Sequence, residues 1–135
     1  MSAAEDPLLW FVATDNLGVD WRVYLASEEG TDELPDGHWG RTVVCEPGDR
    51  VVCGRREIFI NARLSEENQN MVLLHELMHA AASSMGPPMR VSTEEKLVRG
   101  IELGLWKFVK TYGRIKWPRK PRGYAALVRK ARKLK

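Results

Sequence analysis

His75-Glu76-Leu77-Met78-His79 sits in the middle of Ser65–Met85 (SEENQNMVLLHELMHAAASSM), and its reading decides the rest. The run around it is helical in pattern. Ser65 can cap its start, Glu66 and Glu67 suit the positive end of a helix dipole, and Gly86-Pro87-Pro88 stops it. On a helix, residues i and i+4 share a face, so both imidazoles can reach one metal ion. The intervening Glu76 then lies beside that ion, where a carboxylate can hold and deprotonate a water molecule. An H-E-x-x-H helix thus supplies two zinc ligands, His75 and His79, and a general base.

A catalytic zinc ordinarily takes three protein ligands. The one other histidine, His38, lies far upstream in a loop-like stretch. Glu94 and Glu95 follow His79 by 15 and 16 residues, at the start of a second helix running from Ser92 or Thr93 to about Lys110. Leu97, Val98, Ile101, Leu105, Phe108 and Val109 form one apolar stripe on that helix. Glu94 shares the stripe, which is expected to face the core and the first helix. Glu95 points about 100° away, toward Arg99 and Glu102. It can also close a capping box with Ser92. Glu94 is therefore the favoured third ligand and Glu95 the alternative, with one zinc per chain.

Outward from this pair of helices, the N-terminal half reads as β structure. Residues 8–13 (LLWFVA) fit a strand or a helical turn, and Trp21–Leu25 alternates as a strand. Thr42–Cys45 and Arg50–Cys53 resemble a hairpin around Pro47-Gly48-Asp49, and Glu57–Asn61 is another β-rich run. The expected architecture is α+β: a small, mostly antiparallel sheet packed on the two helices. Cys45 and Cys53 are too few for a disulfide scaffold and read as small buried apolar residues.

Charge divides the 135 residues unevenly. Residues 1–106 hold 9 Lys/Arg and 18 Asp/Glu, a balance of −9; residues 107–135 hold 12 Lys/Arg and no acid, +12. The division gives a domain over 1–110 and a basic extension over 111–135, closed by a short helix from Tyr124 to Leu134. Its Lys and Arg, interleaved with Tyr112, Trp117 and Tyr124, suit contacts to nucleic acid over 107–135. The competing readings are a solvated helix leaning on the acidic body, or a lid over the cleft. No apolar run has the length of a membrane span. The acidic start, MSAAEDPLLW, is unlike a signal peptide, so a cytoplasmic location is expected.

H-E-L-M-H-A followed by a helix opening on Glu-Glu resembles the gluzincin group of zinc metallopeptidases. The preceding Ile58-Phe59-Ile60-Asn61 and the lead-in Val72-Leu73-Leu74 are most similar to the compact ImmA/IrrE-related peptidases and to short phage-encoded metallopeptidase-like proteins. The resemblance covers roughly 57–109. It implies a zincin-like minimal fold, peptide-bond hydrolysis with His75 and His79 as ligands and Glu76 as base, and a peptide or protein substrate. That substrate would pair with an edge strand, for which Glu57–Asn61 is the candidate. The chain departs from the pattern four residues after the ligand glutamate, where a small polar residue is common. Here Val98 follows Glu94, or Arg99 follows Glu95. The runner-up is a nucleic-acid- or protein-binding module with a non-catalytic zinc. Tyr112, Tyr124, Arg99 and His38 are the candidate donors to a reacting carbonyl.

Overall fold

A computed structural model describes residues 7–15, 17–27, 34, 37–44, 55–85, 90–113 and 115–133. Four strands form one sheet: β1 (Leu8–Thr14), β2 (Asp20–Ala26), β3 (Gly40–Val44) and β4 (Arg56–Asn61). Three helices follow: α1 (Glu66–Met85), α2 (Val91–Tyr112) and α3 (Tyr124–Lys133). The α+β expectation holds. The expected strand at Arg50–Cys53, its turn and both cysteines lie outside the described residues.

Strand order is β1-β2-β4-β3. β1–β2 and β3–β4 are antiparallel, whereas β2 and β4 run parallel. Side chains alternate across the sheet. Trp21, Val23, Leu25, Ile58 and Ile60 form the main core with Val72, Leu73 and Ala80 of α1. The opposite face carries Tyr24 stacked on Phe59 (centroids 5.3 Å apart), with Ala26, Leu34 and Val43 around them.

A tight turn joins β1 to β2. One Asp15 carboxylate oxygen accepts from Leu17 N–H and Val19 N–H at 2.9 and 3.0 Å, and the other from Trp21 Nε1 at 3.2 Å. Gly18 adopts φ +80°, which a side chain would disfavour. The bond from Val19 N–H, helped by the Ser84 hydroxyl, Trp21 and Leu17, outweighs the upward pull of burial and lowers the Asp15 pKa to about 2.

Helix α1 begins as its sequence requires. Ser65 Oγ accepts from Asn68 N–H at 3.2 Å. Behind this cap, buried Gln69 donates to the carbonyl of Leu64 at 2.9 Å and pairs with the Tyr124 hydroxyl at 3.0 Å.

That last contact belongs to a docked C-terminal segment. Ala131 lies in the main core, and Trp117, Tyr124 and Leu127 pack against it. Trp10 Nε1 donates to the Pro118 carbonyl at 3.2 Å. Part of the basic charge is spent on this docking. Lys110 pairs with Glu67 at 2.9 Å, and Arg132 donates to the carbonyls of Arg63 and Leu64. Lys120 lies over the Trp10 ring, 3.6 Å from its centroid; its partial burial there lowers its pKa to about 8. The segment expected as an extension thus covers one end of the core.

Helix α2 differs from expectation in its face. Its N-cap is Arg90, without a side-chain cap bond, so Ser92 is already inside the helix and the Ser92–Glu95 capping box is not formed. Val98 is buried, but Leu97 (48% exposed), Ile101 (51%) and Phe108 (62%) face outward. Apart from Val98, the apolar stripe is not the face that packs on α1. The face that does is Glu95–Val98–Glu102, because the histidines of α1 offer hydrogen-bond partners to those carboxylates. No described helix is long and apolar enough to cross a membrane.

Candidate metal centre

α1 projects His75 and His79 from one face, four residues apart, with their Nε2 atoms 3.2 Å from each other. Glu95 closes the group from α2. One of its carboxylate oxygens lies 2.8 Å from His79 Nε2 and the other 3.2 Å from His75 Nε2. One ligand atom from each of the three residues falls within 4.8 Å of the others. Two imidazoles and a carboxylate, converging and half-buried, are the donor chemistry that suits a divalent transition metal.

Glu94, the favoured third ligand, is placed elsewhere. Its carboxylate lies 2.8 Å from His79 Nδ1, on the far side of that ring. The preference rested on the apolar stripe of α2 facing α1. With the stripe turned outward, Glu95 takes the central position and Glu94 is rotated to the flank. Glu102 sits 2.7 Å from His75 Nδ1. Arg99 donates from Nε to the Glu95 carboxylate at 2.9 Å. Burial alone would raise the Glu95 pKa, but Arg99 and the two histidines outweigh it and the net direction is down.

Glu76 points away from the histidine pair's α2 side and toward the sheet. The Thr42 hydroxyl approaches its carboxylate at 2.7 Å and its backbone carbonyl at 3.1 Å. Glu76 is only 7% exposed, and burial pushes its carboxyl above the usual carboxylate range, against the pull of Thr42 and the histidines. Strand β3 can come this close because of Gly40. A Cβ there would lie 2.5 Å from Val72 Cγ1 and 3.1 Å from Glu76 Cγ. Register explains the rest: Gly40 and Thr42 pair with Ile60 and Ile58, so they share the sheet face that meets α1.

The site opens into a cleft of about 680 Å³, lined among others by His38, Trp39, Met71, Arg99 and Leu103. His38, remote in sequence, is brought there by Asn61. The Asn61 amide donates to the His38 carbonyl at 3.2 Å, and its backbone N–H donates to the Trp39 carbonyl at 2.8 Å. Of the four candidate donors, His38 and Arg99 line the cleft. Tyr124 is tied to Gln69 instead, and the Tyr112 side chain lies outside the described residues. No described residue from 107–133 lines the cleft, so the lid reading of the basic segment has no support there.

Residues 39–98 match the IrrE N-terminal-like domain family, Peptidase_M78. No curated protein and no solved structure matches the chain. The match bears out the ImmA/IrrE-like resemblance and shifts its extent. The IrrE-like stretch begins at Trp39, taking in β3, and ends at Val98, short of Glu102. It contains His75, Glu76, His79, Glu94 and Glu95, and marks a metallopeptidase-like domain.

Sequence reasoning missed two residues of this site. Thr42 left no signal, since its partner is 34 positions away. Glu102 did leave one: it is seven residues after Glu95, two helical turns along the same face.

Proposed function

We propose that this protein is a zinc-dependent metallopeptidase. The observation that carries the reading is the convergence of His75, His79 and Glu95 with Glu76 held beside them in an IrrE-like stretch. His75 and His79 bind through Nε2, and Glu95, not Glu94, is the third ligand. When bound, zinc supplies Lewis acidity and makes water a stronger acid. Glu76 accepts the proton from the attacking water and delivers it to the leaving amine. Burial raises the Glu76 pKa, the direction that suits a carboxylate that must both take and give a proton. Thr42 holds the carboxylate in place between those events.

The substrate strand pairs with β3. The earlier candidate, Glu57–Asn61, is β4, which is paired on both sides by β2 and β3. Among the described residues, β3 has one partner. The Asn61 N–H to Trp39 carbonyl bond sets the alternation. Arg41 and Val43 then direct their backbone groups to β4, and Gly40, Thr42 and Val44 direct theirs outward. An extended peptide added there runs beside Glu76.

The test is hydrolysis of denatured casein by the zinc-loaded protein and by Glu76→Gln. The expected result is cleavage by the wild type and a fall of at least ~100-fold in the variant with zinc retained. Full activity in Glu76→Gln would refute the general-base role.

A second reading, binding of nucleic acid, draws on the Lys and Arg exposed along α3, including Arg129 and Lys133. Reversing both charges should abolish a salt-dependent affinity for an oligonucleotide and spare hydrolysis.

A further inference from the structure

We infer that Glu102 and Glu94 are positioning residues of the metal centre, each holding the Nδ1 edge of one histidine so that both Nε2 atoms face the same ion. The inference rests on the reading of His75, His79 and Glu95 as ligands.

Its geometry is reciprocal. Glu102 lies 2.7 Å from His75 Nδ1, and Glu94 lies 2.8 Å from His79 Nδ1. Both carboxylates are largely buried, with side chains 16% and 25% exposed. A neutral imidazole carries one N–H. When Nδ1–H donates to a carboxylate, the Nε2 lone pair is left free for a metal and ring rotation is blocked. One helix thus supplies three carboxylates with divided duties. Glu95 and Glu102, two turns apart, meet α1 along one line, and Glu94, one residue before Glu95, reaches around His79 to its outer edge.

Charge points the same way. Glu94, Glu95 and Glu102 bond to the two imidazoles, Glu76 lines the same cleft, and among the described residues the cation hydrogen-bonded to this group is Arg99, on Glu95. Four acids at such spacing repel one another unless a positive charge sits among them. A divalent ion at the Nε2 atoms supplies it.

The experiment uses the full chain. Zinc affinity is measured by competition with a chromophoric chelator for the wild type, Glu102→Gln, Glu102→Ala and Glu94→Gln. Cobalt-loaded samples give visible spectra, and ¹⁵N-labelled, zinc-loaded wild type gives long-range histidine ¹H–¹⁵N correlations. The expected result is Nδ1–H with Nε2 bound for both histidines. Zinc affinity should fall ~10- to 100-fold in Glu102→Ala and less, though beyond twofold, in Glu94→Gln, whose amide oxygen still accepts from Nδ1–H. Glu102→Gln, whose amide oxygen still accepts from Nδ1–H, should recover part of the loss. One ion per chain and the wild-type cobalt spectrum should be kept in every variant.

Affinities within twofold of wild type overturn the inference. So does a changed cobalt spectrum, which makes the replaced carboxylate a ligand, and so does Nδ1 coordination. If the wild type takes up neither zinc nor cobalt, the ligand set itself fails and this inference falls with it. If the wild type takes up one ion and the variants match it, the positioning role alone fails.

Discussion

Gly40 is the residue on which the site's geometry turns. With no Cβ, it lets β3 lie against Val72 and Glu76, and that approach puts Thr42 within reach of the Glu76 carboxylate. Gly40→Ala overfills the contact by a methyl group pressed against Val72. We expect a loss of about 1–3 kcal/mol in urea unfolding, together with weakened hydrolysis as the Thr42–Glu76 bond is pulled apart. Asp15 makes a separate prediction about pH. Its folded pKa is depressed to about 2 from 3.8, so its ionised form stabilises the β1–β2 turn above pH ~4 and that contribution is lost as pH falls through 2. Asp15→Asn should lower the urea midpoint at pH 7, and the gap to the wild type should close in acid. At this scale the chemistry of His75, Glu76 and His79 was legible, because i, i+4 spacing is local. Thr42 was not, and His38 could be named as a candidate donor but not placed, since both join the site through contacts across the sheet.

Among the elements, α1 was readable at both ends. Ser65 caps it and it stops at Met85, just before Gly86-Pro87-Pro88. Helix α2 was readable in existence and misleading in orientation. Its strongest pattern is an apolar stripe, and apolar stripes normally face the core. Here Leu97, Ile101 and Phe108 face outward while Glu95 and Glu102 face inward. Carboxylates turn inward only where partners meet them, and the partners are the two imidazoles of α1. A pattern rule that scores hydrophobicity cannot see partners on another helix. The orientation carries its own prediction. Leu97→Glu and Ile101→Lys, on the outward stripe, should change urea stability by no more than ~0.5 kcal/mol. A loss of several kcal/mol in either would show the stripe buried after all.

For the whole molecule, alternation announced strands but not their order. The parallel β2–β4 contact pairs Arg22 with Glu57, 35 positions on, with β3 laid outside them, and nothing in either strand specifies that crossing. Charge segregation, in turn, suggests a basic C-terminal extension over 111–135. The structure seats Val128 and Ala131 in buried positions and ties Tyr124 to Gln69. Ala131→Asp places an unpaired carboxylate in the core and should cost at least ~2 kcal/mol in urea unfolding. Removing residues 119–135 should likewise lower the thermal midpoint, so charge reversal at Arg129 and Lys133 is the cleaner way to examine any role of the basic surface.

In the proposed metal centre, α1 and α2 together hold one zinc through His75, His79 and Glu95. Metal content of the purified chain, measured by mass spectrometry for the wild type, Glu95→Ala and Glu94→Ala, tests it most directly. The expected result is one zinc per chain in the wild type, little or none in Glu95→Ala, and a retained but more weakly held ion in Glu94→Ala. A full complement of zinc in Glu95→Ala, or none in the wild type after incubation with zinc and removal of the excess, would contradict it.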